Sequence, residues 1–242
     1  MTFLRSLLFL IFIVFFTIAH FLLIAISLPF LSYEKRFKFI VSWSSVYIKA
    51  IKIICGVNYE ILGEENIPTN KNLLIISNHQ SDFETILLLM KFQPQTTVIK
   101  QELLKIPFYG WAFKLIDPIA IDRSKKSAAL KKILTEGSQR LREGFWVVIF
   151  PEGTRQKTED RSSFNAGGAM LGVKSGFPIL PIAHNSGINC PRKSILKKPG
   201  TISFIIGKPI ETSGRKAKDV NNEVESWIHH QLDELDKQAV QL

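Results

Sequence analysis

The sequence predicts an α/β protein: a mixed sheet flanked by helices, carried on an N-terminal membrane-embedded helical anchor. Three observations predict it. Short apolar runs of strand length alternate with helical patterns through most of the chain. No Asp, Glu, Lys or Arg occurs from Ser6 to Tyr33. Two polar motifs each follow an apolar run directly, where an α/β sheet places its ligands.

The anchor comes first in the chain. A helix of about 25 residues would run ~37 Å, longer than a ~30 Å hydrocarbon core. Only Thr17, His20 and Ser27 interrupt its apolar surface, whereas a helix of a soluble core carries a polar face. A cleaved signal peptide fits poorly. The apolar stretch exceeds the usual ~7–15 residues, and Ser32-Tyr33-Glu34-Lys35-Arg36 follows in place of a small-residue cleavage site. From Phe37 to Cys55 a second stretch is amphipathic, with Phe39, Ile40, Trp43, Val46, Tyr47, Ala50, Ile51 and Ile54 at helical spacing. Two such helices joined at Pro29-Phe30-Leu31-Ser32 form a hairpin that dips into one leaflet, or the first spans and the second lies in the interface. Arg5 precedes the first helix, and Lys35, Arg36 and Lys38 follow it. That bias places the rest of the chain on the cytoplasmic face, of the inner membrane in a bacterium. The expected organisation is an anchor over residues 1–55 and an α/β domain over 56–242.

Length and composition narrow the partners. At 242 residues the chain can bury one self-sufficient core beside its anchor. A net charge of +10 suits an anionic partner: nucleic acid, an anionic membrane face or a phosphorylated substrate. The apolar N-terminus favours membrane lipids. No P-loop or G-x-G-x-x-G is present, since Gly207-Lys208 is followed by Pro209, and no nucleic-acid partner is expected. Cys55 and Cys190 are too few for a thiolate metal site and are read as buried thiols; no metal is expected.

The remaining elements follow in order. Asn58–Leu62 alternates as a strand, and Leu73–Ile76 is apolar throughout, as in a strand covered on both faces. Phe83–Met90 is a helix, Thr97–Ile99 and Pro118–Ile121 short strands. Ser127–Arg142 is a helix closed by Gly144, and Phe145–Phe150 a buried strand. Gly168–Lys174 is a short helix, and Ile179–Ala183 and Thr201–Ile206 are strands. Val220, Val224, Trp227, Ile228, Leu232 and Leu235 mark a C-terminal amphipathic helix.

Two motifs carry chemistry. Asn78-His79-Gln80-Ser81-Asp82-Phe83-Glu84 puts an imidazole at a strand end with a carboxylate five residues on. Residues five apart on a helix diverge by ~140°, so His79 must precede the helix and Glu84 must lie in its first turn. Glu84 then fixes the His79 tautomer, or caps the helix as the last member of an S-x-x-E box. Asp82 is a competing partner. Phe150-Pro151-Glu152-Gly153-Thr154-Arg155 follows the second buried run: Gly153 admits a ligand to the backbone, Arg155 suits phosphate, and Glu152 accepts from a hydroxyl. Ile121-Asp122-Arg123 also follows a strand. Leu180-Pro181-Ile182 reads as a core strand with an edge proline.

Together these four segments resemble the glycerolipid acyltransferases, specifically the 1-acyl-glycerol-3-phosphate acyltransferases. The resemblance covers about residues 40 to 210. It implies that His79 is the general base, oriented by Glu84, and that Arg155, Arg123 and Lys100 hold the acceptor phosphate. It implies further that Glu152, Gly153 and Thr154 help bind substrate and that Pro181 belongs to the acyl pocket. The acceptor is then lysophosphatidic acid and the product phosphatidic acid, with the same chemistry on another lysolipid, a lysophospholipid or lyso-ornithine lipid, as the alternative. The donor is acyl-CoA or acyl carrier protein, a co-substrate, so no cofactor is expected. The chain departs from the family at Glu84, where most members carry Asp, and at Phe164-Asn165-Ala166-Gly167, where many carry Phe-Lys-x-Gly.

Overall fold

The computed structural model describes residues 1–240, with side chains to Lys237. Seven strands form one sheet: β1 (Val57–Leu62), β2 (Leu74–Ser77), β3 (Gln95–Lys100), β4 (Ile119–Ile121), β5 (Trp146–Ile149), β6 (Ile179–His184) and β7 (Gly200–Ile206). Their spatial order is β1-β7-β6-β2-β5-β3-β4. Every neighbouring pair is parallel except β6 with β7. The sheet is therefore mixed, as the alternation of strands and helices predicts.

The continuous apolar runs have a direct cause, because helices cover both faces. Along β2, Leu74 and Ile76 point to one face and Ile75 to the other, and all three are buried. On the Ile75 face lie α2 (Tyr33–Ala50), its continuation through one π-turn (Ile51–Cys55), and α3 (Phe83–Lys91). On the opposite face lie α5 (Lys126–Arg142), α6 (Gly167–Ser175) and α7 (Ala217–Val240). Val220, Val224, Ile228 and Leu232 of α7 recur every four residues and are buried, which gives the stripe read from the sequence. Between β3 and β4 the chain makes a further short helix, α4 (Tyr109–Lys114). Its six residues are too few to show a helical period, so the sequence did not reveal it.

The first helix, α1 (Thr2–Ser27), packs along the body for its whole length. Ser6, Phe9, His20 and Ile24 are buried and Ile13 and Thr17 half-buried, a stripe of three- and four-residue steps. At its start, the Lys197 backbone N–H donates to Ser6 Oγ at 2.9 Å. Near its end, His20 Nε2 lies 3.1 Å from the Phe39 carbonyl, and Ile24 packs with Phe37, Phe113 and Ile116. The other face leaves Phe3, Leu8, Phe15, Leu22 and Ile26 exposed.

Pro181 does not sit on an edge: β6 lies between β2 and β7. A proline is tolerated there because the β6–β7 ladder pairs only Ile182, Ala183 and His184, so the missing N–H breaks no rung.

Candidate active site

Strands β2, β3, β4 and β5 run parallel, so their carboxyl ends share one edge of the sheet. His79 follows β2, Lys100 ends β3, Arg123 follows β4, and the Phe150–Arg155 turn follows β5. These four separate strand ends converge on a cavity of about 610 Å³, lined by His79, Lys100, Arg123 and Arg155 among others.

His79 is held at every polar point except one. Its backbone N–H donates to Glu152 Oε1 at 3.1 Å, and its carbonyl accepts from the Gln156 N–H at 2.7 Å. Its ring stacks on Phe150, with centroids 4.4 Å apart. Ring Nδ1 meets Glu84 Oε1 at 2.7 Å. Since Glu84 is ionised, Nδ1 is the protonated nitrogen, and Nε2 keeps its lone pair for the cavity.

Glu84 is fully buried and saturated with donors. It accepts the backbone N–H groups of Gln80 and Ser81 at 3.0 and 2.9 Å, and the hydroxyls of Ser81 and Ser186, the latter at 2.8 Å. Burial opposes its charge. The His184 and His79 rings and the hydrogen bonds from His79 and Ser81 outweigh that, holding the carboxyl well below the usual range. The two readings of Glu84 thus hold together: it closes the N-terminal turn of α3 and binds the His79 ring.

Asp82 does not compete for His79. Its carboxylate accepts from Lys197 Nζ at 2.8 Å and from the Tyr47 hydroxyl at 2.7 Å. Burial works against that charge too, and Lys197 with Tyr47 and Arg155 outweighs it. Lys197, from the Lys197-Lys198 pair ahead of β7, is buried against α2 and the start of α3.

The Phe150–Arg155 turn divides its residues between two tasks. Phe150 and Arg155 line the cavity, but Glu152, Gly153 and Thr154, expected to bind substrate, do not. The physical reason is the turn itself. Gly153 takes φ +72 and donates to the Phe150 carbonyl at 3.1 Å, which aims Glu152 back toward the His79 backbone. Burial pushes the Glu152 carboxyl up to about 8; its own and the His79 N–H pull the other way, and Glu84 adds to the rise. Glu152 Oε2 is buried with no partner among the described residues. Asn165 braces the turn by donating from Nδ2 to the Pro151 carbonyl at 2.7 Å.

Pro181, expected in the acyl pocket, is not among the residues that line this cavity. Its ring sits close to Gly207, inside the sheet and away from the cavity. The apolar wall comes instead from Ile13, Val14 and Ile18 of α1, Trp43 and Tyr47 of α2, and the segment through Ile106, Phe108 and Tyr109. Past Thr17, Trp43 and Thr85 an apolar recess continues to His20, Ile40 and Leu89. In the sequence the α1 residues stand some sixty positions before His79 and those of α2 some thirty, and only packing brings them to it. Two further polar residues escaped notice. His184 Nε2 donates to the Asn78 carbonyl at 2.8 Å, while Asn78 Nδ2 donates to the His184 carbonyl at 2.9 Å, joining the ends of β2 and β6. Ser186 completes the shell of Glu84. The signal available was Ala183-His184-Asn185-Ser186, a polar run directly after an apolar strand.

The Acyltransferase family profile matches residues 58–185, from β1 to just past β6. The chain belongs to this acyltransferase family. The acyltransferase is 41% identical over 211 residues to a 1-acyl-sn-glycerol-3-phosphate acyltransferase of Pseudomonas aeruginosa, covering 86% of this chain and 82% of the other. It is 30% identical to 1-acyl-sn-glycerol-3-phosphate acyltransferase beta of Homo sapiens, over 75% of this chain and 65% of the other. The crystal structure of the 1-acyl-sn-glycerophosphate (LPA) acyltransferase PlsC from Thermotoga maritima superposes with a TM-score of 0.78 at 25% identity, covering 98% of both chains.

Proposed function

We propose that this acyltransferase moves a fatty acyl chain from acyl-CoA or acyl carrier protein to the sn-2 hydroxyl of 1-acyl-glycerol-3-phosphate, giving phosphatidic acid for phospholipid synthesis. The observation that carries this reading is one cavity with an unencumbered His79 Nε2, three cationic side chains and an apolar wall. Nε2 takes the proton of the acceptor hydroxyl as its oxygen attacks the thioester carbon. The carbon–sulfur bond breaks, and the leaving thiolate takes the proton from the imidazolium. Glu84 stabilises the imidazolium while it lasts. Arg155, Arg123 and Lys100 hold the phosphate, with Arg155 and Arg123 suited to bidentate contact. The acyl chain lies along the α1–α2–α4 wall. No acyl-enzyme is required: both cysteines are buried, and Cys190 is pushed by burial up to about 12.

The packing of α1 favours the hairpin over the spanning anchor. Its first and last turns touch the same globular body, so crossing a bilayer would carry that body into the hydrocarbon. The exposed face of α1 therefore lies in one leaflet, with the domain on the cytoplasmic side.

The test is a panel of acceptors with labelled acyl-CoA and labelled acyl carrier protein. 1-Acyl-glycerol-3-phosphate should be acylated far faster than a lysolipid with a zwitterionic headgroup or glycerol-3-phosphate. Equal rates on the zwitterionic lysolipid would rule out recognition of the terminal phosphate monoester by the three cations.

A further inference from the structure

Between Lys100 and Lys114 the chain leaves three large apolar side chains in the open: Leu103, Ile106 and Trp111, 42%, 44% and 46% exposed. In an aqueous setting, exposing them together has no compensation. They are contiguous with α1. The Phe108 and Trp111 rings both lie 5.7 Å from that of Phe21, and the two are 5.4 Å from each other. Leu22, Leu23 and Ile26 on the following turns of α1 are exposed as well. Phe108 holds φ +61, a conformation that a bulky residue adopts only where its surroundings enforce it. Lysines flank the apolar group: Lys100, Lys105 and Lys114 are all exposed. Apolar tips framed by basic residues, with a tryptophan among them, match a surface that enters a lipid leaflet and meets anionic headgroups at its rim.

We infer that the segment Leu103–Trp111 is a second membrane-inserted element, which enters the same leaflet as α1 and forms the opposite lip of the cavity mouth. Leu103, Ile106 and Phe108 line that cavity together with Ile13, Val14 and Ile18 of α1. With both lips in lipid, an acyl chain passes between bilayer and cavity without crossing water. The inference takes from the proposed function only that α1 is embedded in a membrane.

The test uses full-length protein reconstituted in vesicles of phosphatidylcholine and phosphatidylglycerol, comparing wild type with Trp111→Phe so that the difference isolates Trp111 from Trp43, Trp146 and Trp227. Phospholipids brominated at acyl positions 6 and 7 should quench wild-type emission by a component that Trp111→Phe lacks, and aqueous iodide should leave that component unaffected. A Trp111 component quenched by iodide and not by bromolipid overturns the inference, and so does one reached by neither quencher. An independent reading comes from Ile106→Cys carrying a polarity-sensitive fluorophore, since both native cysteines are buried. A blue-shifted emission in vesicles supports insertion, and a water-like one overturns it. Alkaline extraction distinguishes this from failure of the anchor: protein that stays with the vesicles yet shows an aqueous Trp111 contradicts the second element alone.

Discussion

Two neighbouring strands, β2 and β5, each deliver a glutamate to His79, and the two carboxyls end in opposite states. Glu84, after β2, meets the ring and collects donors on both oxygens, so it stays charged although fully buried. Glu152, after β5, meets the His79 backbone rather than its ring, leaves one oxygen without a partner among the described residues, and is pushed up to about 8. Burial alone does not set the charge of a carboxyl; the number of donors aimed at it does. At neutral pH the ring of His79 therefore has an anion behind it, while its backbone rests on a carboxyl held mostly in its neutral form.

This contrast can be broken in order of consequence. His79→Ala removes the base itself, with an expected fall in kcat on the order of 10²–10⁴. Its melting temperature should change little, because the ring is partly exposed to the cavity. Glu84→Ala should cost both activity and fold, since it strands the buried Gln80 and Ser81 N–H groups at about 1–3 kcal/mol each. Thermal unfolding followed by circular dichroism would show the loss; an unchanged midpoint would mean those donors find other partners. Arg155→Ala should raise KM for the phosphorylated acceptor by roughly 10- to 100-fold, the worth of a charge-assisted contact, and leave KM for the acyl donor near wild type. A flat acceptor KM would remove Arg155 from the phosphate site.

Glu152→Gln should have the smallest effect, visible in the pH dependence of stability. Unfolded, Glu152 titrates near 4.5; folded, near 8. Across that window the unfolded chain has released a proton that the folded chain still holds, so wild type loses stability as pH rises. The depressed carboxyl of Glu84 works in the opposite sense, contributing stability above its unfolded value of 4.5 that is lost as pH falls. The melting temperature of Glu152→Gln relative to wild type should therefore climb from pH 5 to pH 8.5. Parallel melting curves across that range would show that Glu152 is charged in the folded protein.

What the sequence disclosed follows the range of the forces involved. The strands were legible because a twice-covered strand must be apolar at every position, as Leu74, Ile75 and Ile76 are. The His79–Glu84 pair was legible because five residues of local chain fix its geometry. Arg123, Lys100 and Arg155 were grouped by the family resemblance alone, and the structure places each at the end of a strand of one parallel set. What stayed hidden depends on long-range packing: Lys197 reaching Asp82 from 115 residues away, Ser186 completing the shell of Glu84, and α1 and α2 walling the cavity. Glu152 and Pro181 show the converse. Each stands in or beside a telling motif, yet backbone geometry turns one toward His79 and keeps the other within the sheet.

The most direct measurement is product formation by purified, detergent-solubilised protein given 1-acyl-glycerol-3-phosphate and a labelled acyl donor, with His79→Ala alongside. Labelled phosphatidic acid from wild type, and background levels from the folded variant, is the predicted result. Comparable phosphatidic acid from both proteins would contradict it, because His79 would then not be the base that Glu84 is built to hold.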